Sequence, residues 1–392
     1  MSVLDQLPAR EVGERLRQAR EAADVTQAAA ADAIGAARTT IVAIEQGQRK
    51  VRLSELQLLC ALYGTTVNAL FRQEAVHVDL VPRFRKLPGQ SLAADHAAEL
   101  MASLAKAETE LENLLGVVHP KNYPPERPLL NGDVKVQAEH DATELRQRLG
   151  LGNAPIGNLV AHLEMDMGVR VYVRRLDGSI SGLFAYEESV GACILVNANH
   201  PLERRNYTAA HEVGHLVATR HKPEVLHSEE DENSREERYA NAFARALLMP
   251  SRAVMRKFAE VAAGSDTLTR KHVIILANYF AVSRPALVRR LEELELTKAG
   301  TWDWFTGNGG ITDEQARQVL GDHLVPDEAK LEANRPTTLR LNLLAAEAAQ
   351  RGLLSEGQLA RLLQLDRIEL RSILEAFNTD ESEVDGVIPR AQ

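Results

Sequence analysis

His211 and His215 stand four residues apart in the stretch AAHEVGHLVATRH, with Glu212 between them. On a helix that spacing is about 400° of rotation, so the two imidazoles project from one face and can share a metal ion. An open catalytic zinc takes three protein ligands and keeps a position for water, so a third ligand must come from elsewhere in the chain. The segment REERYANAFARALLMP offers Glu236 and Glu237 on a second helix whose buried face runs through Tyr239 or Ala240, Phe243 and Leu247. Adjacent helical residues point about 100° apart, so only one of the two glutamates can face the metal. Glu237 shares a face with Asn241, which would let one ligate while the other orients a ligand. His221 precedes and His227 opens the acidic stretch HSEEDENSREE, whose part before the second helix reads as a solvated loop, so neither histidine is expected as a ligand.

A second patterned stretch, VTQAAAADAIGAARTTIVAIEQGQRK, opens a short helix at the N-cap Thr26 and Gln27 and turns at Gly35. A second helix then runs from Arg38 to Ile44 and closes at Glu45-Gln46-Gly47. Two helices across a tight turn form a helix-turn-helix. Its second helix would bury Ile41 and Ile44 and present Arg38, Thr39 and Ala43, three side chains able to reach base edges in a major groove. Gln27, Thr40, Gln46, Arg49 and Lys50 would then lie over phosphates.

The elements that must hold these groups follow from hydrophobic period. The histidine stretch is preceded by ILVNANHPLERRNYT, an apolar strand, a loop and a helix start, so the metal helix should lie behind a sheet edge. The strand ending at Asn197 would then be a candidate for pairing with an extended substrate. From residue 138 two short helices lead into three apolar runs, VRVYV, ISGLFAY and ACILVN, which implies an α+β domain with a small sheet. Residues 10–72 are helical in period throughout. Residues 92–117 form one amphipathic helix, expected to stay with the N-terminal piece and to dimerise through Leu92, Leu100, Leu104, Leu111 and Leu115. HPKNYPPERP, residues 119–128, reads as a proline-stiffened linker. The expected division is 1–75, a helical connector and linker over 76–130, a mixed domain over 131–300, and a helical C-terminal region over 301–392.

The 392 residues are about 45% apolar, enough for two or three domains. Lys and Arg number 46 against 55 Asp and Glu, a net charge of −9 that excludes a globally basic nucleic-acid coat but leaves room for a local binding face. The two cysteines, Cys60 and Cys193, sit among apolar neighbours and exclude a disulfide framework. With no membrane span and no cationic, apolar leader, a cytoplasmic location is expected for a bacterial protein. Two later segments, TLTRKHVIILANYFAVSRPALVRRLEELEL and GLLSEGQLARLLQLDRIELRSILEAF, also read as helix, turn, helix. Their apolar spacing suits packing, and the second lacks a basic face. TWDWFTGNGG, with Trp302 and Trp304, reads as a hydrophobic plug.

Across residues 10–72 the Thr-Gln pair, the turn glycine and Ile-x-x-Ile-Glu-x-Gly resemble the XRE family of lambda-type repressors. RRNYTAAHEVGHL together with ERYANAFARALLMP resembles the ImmA/IrrE family of zinc metallopeptidases over about 138–296. The second resemblance implies a zincin-like metallopeptidase fold, with zinc held by His211, His215 and Glu237 and with Glu212 as general base; Glu236 remains the alternative ligand. The implied chemistry is peptide hydrolysis, zinc lowering the pKa of a water and Glu212 taking its proton. The first resemblance implies a double-stranded DNA operator. Residues 1–90 carry 12 basic against 10 acidic side chains, so a homodimer is expected to be needed for affinity. Together they imply a regulator that cleaves itself or a partner, a repressor or toxin partner. The alternative is a non-proteolytic regulator or antitoxin whose zinc domain is structural or sensing.

Overall fold

The computed structural model describes residues 9–23, 25–63, 92–221, 234–321 and 339–377. The chain forms two compact units, Met1–Val76 and His77–Gln392.

The first unit contains α1 (Ala9–Ala22), α2 (Gln27–Ala33), α3 (Arg38–Glu45) and α4 (Leu53–Leu62). Thr26 caps α2 as expected, its hydroxyl accepting from the Ala29 amide at 3.1 Å. Leu16, Ile41, Ile44, Leu56 and Leu59 close the core, with Cys60 among them. Gly47 ends α3 at φ +71, where a Cβ would lie 2.4 Å from the Arg10 Cα, so both backbone geometry and space demand glycine. The segment TVNALF, expected to continue this bundle, lies outside the described residues.

The second unit is built on a three-stranded sheet in the order β1-β3-β2, from β1 (Arg170–Arg174), β2 (Gly182–Glu187) and β3 (Gly191–Asn197). β1 runs parallel and β2 antiparallel to β3. The strand ending at Asn197 is therefore central, and both its edges are already paired; edge pairing of a substrate there is ruled out. Side chains alternate across the sheet with the two-residue period of a strand. Val171, Phe184, Ile194 and Val196 enter one core, and Tyr172, Leu183, Cys193 and Leu195 enter another. A sheet apolar on both faces must be covered on both.

The front cover comprises the helix Val134–Arg148, the histidine helix Leu202–Ala218, the glutamate helix Arg235–Leu248, and the helices Ser251–Val261, Arg270–Tyr279 and Arg284–Glu293. The back cover is the long helix Leu92–Leu115 with the C-terminal helices Leu339–Gln350, Glu356–Leu363 and Arg367–Phe377.

This layering corrects three sequence expectations. The helix 92–115 does not stay with the N-terminal piece as a dimerisation element. Leu104, Leu111 and Leu115 are buried against the back of the sheet and Leu100 packs beside them, so of the five leucines only Leu92 is left exposed. Residues 119–128 are not a free linker: the Tyr123 hydroxyl donates to Gly168 O at 3.1 Å and accepts from the Ala192 amide at 3.0 Å, and the Arg127 amide donates to Val217 O at 2.7 Å, on the histidine helix. The described residues of 301–392 do not build a core of their own, since Phe305, Ile311 and Ala316 join the front core and the helices of 339–377 the back one. In the plug, Phe305 is the buried ring, Trp302 packs against the front core, and Trp304 is exposed while lying edge-on to Phe305.

The back layer is fastened by buried charge. Arg170 on β1 meets Glu108 at 3.0 Å and Glu112 at 2.7 Å, both on the long helix. Arg340 reaches Glu112 at 2.7 Å from the C-terminal helix, His119 Nδ1 lies 3.0 Å from the same carboxylate, and the Tyr172 hydroxyl donates to Glu108 at 2.8 Å. Burial would raise the Glu112 pKa, but the bonds from His119 and Arg170 outweigh it and bring it down from 4.5 to about 2.

Two outcomes follow from this architecture. A fragment of residues 77–392 should be soluble and monodisperse by size-exclusion chromatography, whereas 131–392, stripped of the helix that covers the back face, should aggregate. Because the Glu112 carboxyl titrates lower when folded, its stabilisation is complete above pH 4.5 and is lost as the pH falls towards 2. Glu112→Gln should be less stable than wild type at pH 7 in denaturant titrations, and should lose less stability than wild type between pH 4.5 and 2.

Candidate metal centre and nucleic-acid interface

The histidine and glutamate helices cross with almost no side-chain spacer. A Cβ on Gly214 would stand 2.9 Å from the Ala240 Cα and 3.3 Å from its Cβ, so the close approach needs glycine on one helix and a small residue on the other. Both residues sit next to the chemistry, Gly214 just before His215 and Ala240 just before Asn241.

The crossing brings three donors together. His211 Nε2 lies 3.2 Å from Glu237 Oε2, His215 Nε2 lies 3.1 Å from Glu237 Oε1, and the two Nε2 atoms are 3.2 Å apart. These atoms converge tightly enough to hold one metal ion. Glu237 is the third helix residue after Ser234, whose hydroxyl accepts from its amide at 3.1 Å, so the cap fixes the start of the helix that carries it. Tyr239 anchors the same helix by donating to Asp141 at 2.8 Å. His215 Nδ1 faces the Thr219 hydroxyl at 3.2 Å, and that hydroxyl also lies within reach of His215 O at 3.3 Å, so its proton goes to the carbonyl and its lone pair to the imidazole. This arrangement keeps the Nδ1 proton in place and leaves the Nε2 lone pair for a ligand role.

Asn241 hydrogen-bonds His211, and its Oδ1 accepts from the Tyr207 hydroxyl at 3.0 Å. Burial pushes the Glu237 carboxyl up, but the two imidazoles hold it well below the usual carboxylate range. Burial also lowers His215, whereas on His211 it is outweighed by the bond to Glu237 and the net shift is upward. Glu212 is buried beside the pair, and its Oε1 would lie 3.4 Å from a Cβ placed on Gly182 of β2; the same Cβ would meet Thr208 Cγ2 at 2.4 Å. Strand and helix can touch here because Gly182 has no side chain. His221 instead pairs with Glu126 at 2.6 Å, and His227 lies outside the described residues.

In the first unit Arg38, Thr39, Gln46 and Lys50 are exposed, and Gln27, Thr40, Ala43 and Arg49 are half-buried. Arg49 is held by Glu55 at 2.8 Å. Gln27 accepts from Arg38 at 3.2 Å and donates to the buried Glu45 at 2.9 Å, and Glu45 is paired with Arg20 at 2.6 Å. The Arg20–Glu45 pair is not indicated by the sequence pattern, which marks Glu45 only as the end of its helix. A carboxylate at the end of an otherwise apolar helix face was the available signal. Tyr207 and Arg245 around the metal donors were passed over as well, although Tyr207 shares the helix face of His211 by its spacing of four.

Residues 164–292 match the family model of the IrrE N-terminal-like domain of a peptidase family, and residues 11–70 match that of a helix-turn-helix domain. The first match spans the sheet, both crossing helices and all three metal donors. No curated protein matches the chain. Among the described residues, no helix is long and apolar enough to cross a membrane.

Gly214→Ala should lower stability by about 1–3 kcal/mol through overpacking at the crossing and should weaken metal uptake with it. Gly157→Ala, where a Cβ meets nothing within 4 Å, serves as the control and should change neither the melting temperature nor the bound metal.

Proposed function

We propose that this protein is a DNA-binding transcriptional regulator carrying a zinc-dependent endopeptidase that cleaves itself or a partner regulatory protein. The observation that carries the reading is the convergence of His211 Nε2, His215 Nε2 and a Glu237 carboxylate within 3.2 Å of one another, with a buried Glu212 on the same helix. Two neutral imidazoles and one carboxylate are a donor set of catalytic zinc, and three protein ligands leave a position open. A zinc ion held there supplies Lewis acidity towards the scissile carbonyl and acidity to a water.

The chain's own residues do the rest. Glu212 accepts the proton of the attacking water as its oxygen adds to the carbonyl carbon, and returns that proton to the amide nitrogen as the carbon–nitrogen bond breaks. A purely structural site has no need of this carboxylate. Asn241 and Thr219 orient the two imidazoles. In the helix-turn-helix unit Arg38 and Thr39 read base edges, with Lys50 and Gln46 towards phosphates, and Gln27 holds the Arg38 guanidinium ready. A homodimer on a two-fold operator supplies the affinity that a nearly charge-balanced unit lacks alone.

The deciding experiment combines metal analysis with cleavage. Wild type should hold one zinc per chain, and His215→Ala and Glu237→Ala should lose it. Glu212→Gln should keep the metal yet cleave neither itself nor a set of quenched fluorescent peptides that the wild type cuts. Equal cleavage by Glu212→Gln would remove the general-base role, and a zinc-loaded wild type that cuts nothing would leave the non-proteolytic regulator or antitoxin.

A further inference from the structure

We propose that Tyr207 and Arg245 are positioning residues for His211, acting through the side chain of Asn241. The inference rests on the zinc reading above and adds two residues and a direction to it.

A polar chain crosses three helices. Glu293, on the helix Arg284–Glu293, holds Arg245 of the glutamate helix, with Arg245 Nη2 at 2.6 Å from its carboxylate. Arg245 Nη1 donates to the Tyr207 hydroxyl at 3.2 Å, on the histidine helix. Tyr207 donates to Asn241 Oδ1 at 3.0 Å, back on the glutamate helix, and Asn241 hydrogen-bonds His211. Each step constrains the next. A guanidinium can only donate, so it occupies a lone pair of the phenol oxygen, and the phenol proton must go forward. That proton meets two acceptors on Asn241, Oδ1 at 3.0 Å and the backbone carbonyl at 3.4 Å, and the shorter bond selects the oxygen end of the amide, which by itself could sit in either of two flipped orientations. With the amide fixed, its contact to His211 is fixed too, and the imidazole presents the same nitrogen to Glu237 throughout.

Burial pushes the Tyr207 phenol above its ordinary 10, so the hydroxyl keeps its proton across the working pH range. The Arg245 and Glu293 side chains are each about 85% buried, at 14% and 15% exposed, so the start of the chain is shielded from water as well. The hydrogen bonds lead from these residues to His211 by way of Asn241. Their effect is therefore on the orientation of the ligand and its affinity for metal, not on the reacting atoms.

Zinc affinity measured by competition with a chromophoric chelator tests this on the full chain. Tyr207→Phe and Arg245→Met should each bind zinc about 10-fold more weakly or worse, the range in which partners of metal ligands act. Tyr123→Phe is the comparison, because its hydroxyl serves Gly168 and Ala192, on neither of the crossing helices, and its loss should affect only the melting temperature of the metal-free protein. Wild-type affinity in both Tyr207→Phe and Arg245→Met overturns the positioning role while leaving the zinc site standing. An equal loss in Tyr123→Phe overturns it too, by showing that general loosening of the domain suffices. A wild type that takes up no zinc fails the zinc reading itself and the inference with it.

Discussion

The crossing of the histidine and glutamate helices at Gly214 and Ala240 is the constraint on which the rest of the site depends. Both residues of that contact are small, so the two backbones come close enough for one carboxylate to reach two imidazoles. A side chain between them would move Glu237 outward by more than the tolerance of a metal ligand, since donor distances hold within a few tenths of an ångström. The packing of the core and the chemistry of the site are thus set by the same contact. Ser234 capping Glu237, and Tyr239 bound to Asp141, stop the second helix from sliding along the first.

The sheet behind this crossing is small, and its job is to give the histidine helix a floor. Three strands cannot hide two apolar faces from water, so the chain covers one with the histidine and glutamate helices and their neighbours and the other with the long helix and the C-terminal ones. On the back face three charged side chains, Glu108, Glu112 and Arg170, are buried together, and the half-buried Arg340 closes the group. Such a group adds little net stability compared with well-packed apolar side chains, but breaking it leaves charges stranded out of water. Its effect is to specify which helix lies where: only a helix presenting two carboxylates at the right spacing can satisfy Arg170.

The helix-turn-helix unit shows the same economy on a smaller scale. Buried Glu45 satisfies Arg20 and holds Gln27, and Gln27 in turn holds Arg38 at the start of the exposed helix. A side chain anchored before it meets a base loses less rotational freedom on binding than a free one, which favours selectivity over indiscriminate attraction. The near balance of charge in this unit points the same way.

Local pattern was enough to locate the candidate groups. The four-residue spacing of His211 and His215, the alternation in the three strands and the cap, turn and apolar period of residues 26–47 are short-range signals, and each describes an element without reference to any other. The Glu236 and Glu237 alternative already needed more, because it depends on how one helix is rotated against another; Glu237 is the residue that faces the imidazoles. What tertiary structure alone decided was partnership. The leucine face of residues 92–115 fits a dimer or a sheet equally well by periodicity, and only the second apolar face of the sheet made it a cover. The prolines of 119–128 look like a linker until Tyr123 and Arg127 are seen to bond across the domain. The strand ending at Asn197 became central for the same reason, as pairing order is set by contacts between segments far apart in sequence. Amphipathic period states that a face will be buried; which surface buries it depends on every other face competing for the same contact.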